Sequence, residues 1–132
     1  NDPKPFAALL GDILKNLADR DKVGFSEKHA KAVAVAILHT ANIFFIKSEY
    51  PLQGGYLDIL LLQRPQYRPH YQMAIELKYL AKKDGADLEK TVREGKAQLA
   101  RYKQDPQLAS LERLKAWLLV FVGNEPMAWE EV

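Results

Sequence analysis

No cysteine occurs among the 132 residues. That absence excludes disulfide scaffolds, thiolate zinc sites, iron–sulfur clusters and cysteine nucleophiles. An excess of one charge is missing too, since 19 Lys and Arg against 17 Asp and Glu leave +2. Such a balance does not announce a nucleic-acid binder by bulk electrostatics, nor does it exclude one. Long hydrophobic runs are lacking: Ala116–Val122, as long as any, has seven residues, against the ~20 that span a bilayer. No basic start leads into an apolar stretch, so no signal peptide is read. No Gly-rich loop ends in Gly-Lys-Ser/Thr, so any ATPase module lies outside this chain. With 48% hydrophobic and 27% charged residues, the chain is too apolar for a disordered tail. A reduced, soluble, cytoplasmic α/β protein is expected, without a membrane segment. The chain does not begin with methionine, as suits a piece of something longer.

Helical spacing comes first. Phe6, Leu9, Leu10, Ile13, Leu14 and Leu17 recur every three or four residues, which predicts an amphipathic helix over Pro3–Arg20 with Asp2 as its cap. Its apolar stripe docks either on the rest of this domain or on a preceding domain outside the chain. Residues 1–24 are read as this helix, a link to an upstream domain, and 25–132 as the main domain. A second helix is predicted from Ser26, with Ala30, Val33, Ala34, Ile37, Leu38 and Ala41 inward. Glu27 falls on that buried stripe, an odd place for a carboxylate without a task. The period then changes to that of strands: Ile43–Glu49, a turn at Pro51–Gly55, Tyr56–Gln63, a loop from Arg64 to His70, and Tyr71–Leu80. A polar turn at Lys82–Asp87 precedes a helix to Lys103, which Asp105-Pro106 stops. A short helix over Gln107–Arg113, a central strand Lys115–Gly123 and an edge strand in Met127–Val132 complete the reading.

Two strands carry charges where charges are costly. Asp58 is the one charged residue in Tyr56-Leu57-Asp58-Ile59-Leu60-Leu61-Leu62. Glu76 and Lys78 alternate onto one face of a strand flanked by Ile75, Leu77 and Leu80. If the two strands form a hairpin, Asp58 and Glu76 converge with Lys78 beside them. Carboxylates with a nearby carbonyl oxygen make a hard site suited to Mg²⁺ or Mn²⁺, which serves phosphodiester chemistry. The plainer alternative is a structural ion pair, Asp58–Lys78 or Glu76–Lys78.

The pair of segments Gly55-Tyr56-Leu57-Asp58-Ile59-Leu60-Leu61 and Ile75-Glu76-Leu77-Lys78-Tyr79 resembles the PD-(D/E)XK nuclease superfamily. Within it, the chain is similar to the domain at the C-terminus of bacterial proteins whose N-terminal part is an AAA-like ATPase. The resemblance extends over about residues 25–123 and includes Glu27, Glu49 and Gln98-Leu99-Ala100-Arg101-Tyr102, which matches the family's Gln-x-x-x-Tyr. It implies a restriction-endonuclease-like αβββαβ core with a central mixed four-stranded sheet, flanked by helices. It implies cleavage of nucleic acid, with DNA expected ahead of RNA. Asp58 and Glu76 would hold Mg²⁺ or Mn²⁺ with the Leu77 carbonyl, Lys78 would work on the attacking water, and Glu27 and Glu49 would join as further carboxylates. An ATPase-like domain in the same full-length chain is an implied partner. Two departures are Leu57, where the family's proline often stands, and Tyr56, where many relatives carry Arg.

Supporting residues have two readings each. Gln98 and Tyr102 either serve the site or bound an amphipathic helix, and Gly95, on the same helix face, suggests close approach to the sheet or a ligand. Arg64 and Arg68, interleaved with Tyr67 and Tyr71, either contact a phosphate backbone or stiffen a Pro-containing loop. Lys82, Lys83 and Arg101 belong to a stretch, 82–103, with seven basic and four acidic residues; they border a substrate groove or make a solvated face. His29, His39 and His70 show no ligand spacing. The rivals to an enzyme are a catalytically silent module docking nucleic acid or protein and, more remotely, a sugar or small-phosphate hydrolase, which leaves Lys78 without a task.

Overall fold

Hydrophobic periodicity changes at Asn42, and the backbone changes with it. The computed structural model describes residues 2–17 and 24–132. Helices α1 (Lys4–Lys15) and α2 (Glu27–Ala41) precede strands β1 (Phe44–Leu52), β2 (Gly55–Gln63) and β3 (Gln72–Leu80). A 3₁₀ segment Lys82–Asp87, α3 (Leu88–Lys103), the single turn α4 (Pro106–Ala109), β4 (Leu114–Val122) and β5 (Glu125–Glu131) follow. Asn42 ends α2 in a left-handed conformation, φ 54°, a backbone state Asn tolerates at low cost.

The strands form one mixed sheet in the order β1-β2-β3-β4-β5, with β3 and β4 parallel and the other pairs antiparallel. The expected four strands become five, because β5 pairs along β4 through Val120↔Ala128 and Leu119↔Trp129. β3 and β4 are buried on both faces, as their near-continuous apolar runs require. On one face Ile59, Leu61, Ile75, Leu77, Leu119 and Phe121 meet α1 and α2 through Ala7, Leu10, Leu14, Ala30 and Ala34. On the other, Leu60, Ala74, Ala116, Leu118 and Val120 meet Leu99, Tyr102 and Leu108 of α3 and α4.

Several boundaries differ from expectation. The stripe of α1 is rotated: Ala7, Leu10, Gly11 and Leu14 are buried, while Leu9 is 48% exposed. The cause is Gly11, where a Cβ would lie 2.9 Å from the Asn124 carbonyl oxygen, so the helix seats its glycine against the β4–β5 turn. Pro3 caps α1 rather than starting it, and Asp2 Oδ1 accepts from the Lys4 N–H at 3.0 Å. The helix ends at Lys15, short of the expected Arg20, with Asn16 as its cap and Leu17 in a bend; residues 18–20 fall outside the described residues. Ala41 is exposed at the end of α2. The β1–β2 turn is tighter than the Pro51–Gly55 reading, since Pro51 and Leu52 still pair with Tyr56 and Gly55. β1 is an edge strand, where proline is tolerated. The short helix stops at Ala109, well before Arg113.

Candidate active site

An irregularity in the β1–β2 hairpin builds the site. Glu49 has φ 50°, an unfavourable state for a residue with a Cβ. It faces Asp58 between the pairs Ser48↔Ile59 and Tyr50↔Leu57. The side-chain phase inverts there. Phe44 and Ile46 pack into the core under α1 and α2, whereas Tyr50 and Leu52, still at even positions, pack into the core under α3 and α4. Leu57 and Leu60 likewise share the second core although three residues apart.

Past the kink, β2 parts from β3. Their pairing covers Leu61↔Met73, Leu60↔Ala74 and Ile59↔Ile75 and goes no further, while β4 accompanies β3 to Leu80. The next inward N–H groups of β3 therefore need other acceptors. Carboxylates supply them: Asp58 Oδ2 accepts from the Leu77 N–H at 2.8 Å, and Glu27 Oε2 from the Tyr79 N–H at 3.3 Å. Glu27 is delivered by the first turn of α2, whose Ser26 cap is braced by His29 Nδ1, 3.2 Å from the Ser26 N–H. That assigns His29 a capping role.

Two lysines complete the cluster. Lys78 Nζ donates to Glu76 Oε1 at 2.8 Å and stands 4.0 Å from Glu27 Oε1. Lys31 of α2 donates to Asp58 Oδ1 at 2.9 Å and also to Glu49. The structural ion pair expected for Glu76 is present, but Asp58 pairs with Lys31, not Lys78. Sequence reading missed Lys31. Its signal was its position four residues after Glu27, on the same helix face, which ordinarily marks a solvated i,i+4 pair.

Burial governs the electrostatics. Glu76 is 1% exposed, and its Oε2 has no hydrogen-bond partner. Burial, then the charge of Asp58, push its carboxyl above the usual glutamate range despite the bond from Lys78. For Lys78 burial acts downward, but the hydrogen bond and charge of Glu76 with the charges of Glu27 and Asp58 prevail and raise it. Lys31 is raised in the same way, against burial, by Glu49 and Asp58. Both ammonium groups are thus charged at neutral pH.

The oxygen donors present suit a hard divalent cation. Among the described residues no three His, Cys, Asp or Glu side chains are grouped to hold a metal ion; Lys31 and Lys78 stand between the carboxylates. Mg²⁺ needs only one or two protein carboxylates, water completing its shell. Asp58 and Glu76 fit that demand, with the unpartnered Glu76 Oε2 as a free donor.

Other sequence candidates lie apart from this cluster. Gln98 Nε2 donates to Tyr102 Oη at 3.0 Å, and Tyr102 packs against Gly55, where a Cβ would strike its hydroxyl. The pair supports the hairpin and has no hydrogen bond to Asp58, Glu76 or Lys78 among the described residues. Arg64 is spent on β1: Nε donates to the Phe44 carbonyl at 3.1 Å and the guanidinium lies 4.8 Å from the Phe45 ring. Arg68 is exposed at the tip of that loop, φ 41°. This tip is at the closed end of the β2–β3 hairpin; Arg64 is six residues beyond Asp58, about 20 Å along the strand. Lys82 and Lys83 are exposed just past β3, at its open end, and Arg101 is exposed on α3. Lys82 also lines a cavity of about 400 Å³ with Leu14, Phe25, Tyr79 and Asn124.

A family model described as the PD-(D/E)XK nuclease superfamily matches residues 25–131. No curated protein and no solved structure matches the chain.

Proposed function

The chain belongs to the PD-(D/E)XK nuclease superfamily, whose members are typically nucleases, and we propose that it is a divalent-metal-dependent nuclease with Asp58, Glu76 and Lys78 as its working trio. The observation that carries the reading is the buried, unpartnered Glu76 Oε2 beside Asp58 in a gap of the sheet. A core glutamate with a free oxygen is costly unless something binds it.

Asp58 and Glu76 are the residues that would hold Mg²⁺ or Mn²⁺. The Leu77 carbonyl is a third donor, since a strand residue turns its C=O and N–H to the same edge and the Leu77 N–H meets Asp58. A cation bound there supplies charge for the phosphodiester and acidifies bound water. Lys78, held protonated by its carboxylate neighbours, acts as a donor: it orients the attacking water or neutralises a phosphate oxygen, rather than taking the water's proton. Water adds its oxygen to phosphorus and releases one proton to solvent, one ester oxygen leaves with the bonding electrons, and that oxygen takes up a proton in turn. Glu27 fixes the open end of β3 through the Tyr79 N–H, and Glu49 acts through Lys31. Exposed Lys82 and Lys83 flank the open end and offer phosphate contacts.

The polymer we propose is DNA, acted on in the cytoplasm; among the described residues no helix is long and apolar enough to cross a membrane. An ATPase-like domain elsewhere in the full-length protein rests on the sequence resemblance. A second reading, a silent docking module, is favoured by one observation: Asp58 and Glu76 are each already paired with a lysine.

Cleavage of single- and double-stranded DNA and RNA with Mg²⁺, Mn²⁺ or EDTA separates the two. Metal-dependent cleavage that Asp58→Ala and Lys78→Ala each lower ~10³-fold or more supports the nuclease. Binding without cleavage supports the docking module, and cleavage that survives both substitutions refutes the site.

A further inference from the structure

The cluster joins four carboxylates, Glu27, Glu49, Asp58 and Glu76, to two ammonium groups, Lys31 and Lys78. Their formal charges sum to −2, the deficit that one divalent cation neutralises. The deficit is not spread evenly. Lys78 leaves the second oxygen of Glu76 free, whereas Lys31 sits between Glu49 and Asp58 and takes an oxygen of each. The side chain of Lys31 is 14% exposed, so it is not a loose surface lysine. Its carboxylate partners are set by the backbone: Glu49 adopts its left-handed conformation directly opposite Asp58, and these two residues are the ones Lys31 joins.

We propose that Lys31 is a built-in countercation, a positioning residue that occupies the Glu49–Asp58 side of the cluster and limits the site to one divalent ion on the Asp58–Glu76 side. The inference rests on the metal-site reading above. It assigns Glu49 to Lys31 rather than to the metal. It also explains why a carboxylate is placed at a costly φ: without Glu49, Lys31 has only Asp58, whose charge the bound cation must share. In the metal-free protein Lys31 keeps Asp58 aimed at the Leu77 N–H, so the donor set is formed before a cation arrives.

Mn²⁺ titration by calorimetry and by its electron paramagnetic resonance signal, on wild type, Lys31→Met, Lys31→Arg and Asp58→Asn, tests this without reference to cleavage. One Mn²⁺ per wild-type chain is expected. Lys31→Met should take a second ion, or bind the first at least ~10-fold more tightly, because a unit charge beside a dication opposes it by that order even in a water-like dielectric. Lys31→Arg, which keeps the charge, should return to one ion at near wild-type affinity. Two ions in the wild type overturn the proposal, as does a Lys31→Met protein with unchanged count and affinity. Should Lys31→Met fail to fold, the wild-type count and Lys31→Arg still decide: two ions in either overturns it. Loss of wild-type Mn²⁺ binding altogether overturns both this inference and the metal-site reading. Binding of one ion that Asp58→Asn abolishes, with Lys31→Met unchanged, sinks the countercation and leaves the metal site standing.

Discussion

Glu76 holds Lys78 with one carboxylate oxygen and nothing with the other, and this makes it a pH-dependent burden on the metal-free fold. Burial first, and Asp58 second, raise its folded-state value above that of the unfolded chain. The folded protein therefore keeps the proton longer, and stability falls as pH rises from the ordinary glutamate range, ~4.3, through the folded value. Denaturant titration in EDTA should show Glu76→Gln gaining on the wild type across that window and level beyond it; a gap that narrows with pH would contradict the assignment. The lysines work at the other end. Lys31 and Lys78 are raised, so their ion-pair stability is complete below ~10.4 and is lost as pH climbs through their folded values. Lys31→Met should destabilise the metal-free protein at neutral pH by about 1–3 kcal/mol, below a fully buried pair because Glu49 is half exposed, and show a smaller alkaline loss than the wild type, since Lys78 keeps its own share. Asp58, Glu76 and Lys78 were legible because charge in an apolar strand stands out. Lys31 was not, because a lysine on a helix four residues from a glutamate looks like any solvated pair until Glu49 and Asp58 are folded onto it.

Strands and helices were legible wherever one face is apolar, and the hairpin kink shows where that stops. In Phe44-Phe45-Ile46-Lys47-Ser48-Glu49-Tyr50-Pro51-Leu52 the even positions are apolar on either side of Ser48. The backbone sends Phe44 and Ile46 to one core and Tyr50 and Leu52 to the other. Both cores are apolar, so no polarity contrast records the inversion. The packing of α3 was legible through Gly95, where a Cβ would come 2.7 Å from Leu118 Cδ1. Gly95→Ala gains ~1 kcal/mol of helix propensity, yet crowds the methyls of the fully buried Leu118, which must shift within a packed core, at an overpacking cost of ~1–3 kcal/mol. Net destabilisation, read as a lower denaturation midpoint at unchanged slope, is the expected result. Asp105 was read only as a helix stop beside Pro106. It is 5% exposed, caps α4 through the Gln107 N–H at 2.9 Å and takes the Gln53 N–H at 2.7 Å, pinning the tip of the kinked hairpin. Asp105→Ala removes the cap and leaves that N–H without its acceptor, about 1–3 kcal/mol. Amide exchange should quicken at Gln53 and Gln107 more than in β4.

The family match begins at residue 25, but the packed molecule does not. α1 lies outside the matched segment and puts Ala7, Leu10 and Leu14, each 2% exposed or less, into the same core as Ile59, Ile75, Leu119 and Phe121. Gly11 seats it on the β4–β5 turn, Lys15 reaches Glu125 at 3.3 Å, and Lys4 lies 5.4 Å from the Trp129 ring. Of the two docking partners left open for its stripe, the domain itself is the one it meets. Leu10 and Leu14 alone are worth ~1.5–3 kcal/mol each on burial, and a domain's whole stability is ~5–15 kcal/mol. A chain trimmed to residues 25–132 bares the part of that core beside β5 and the flank of α2 that α1 covers, while α2 stays over β1 and β3. Calorimetry should find it melting about 10 °C or more below the full chain, with any Mn²⁺ affinity falling in step as α2, which carries Glu27 and Lys31 to the site, loses the helix packed on it. An equal melting temperature would instead make α1 a mere link, leaving 25–132 to stand as the domain.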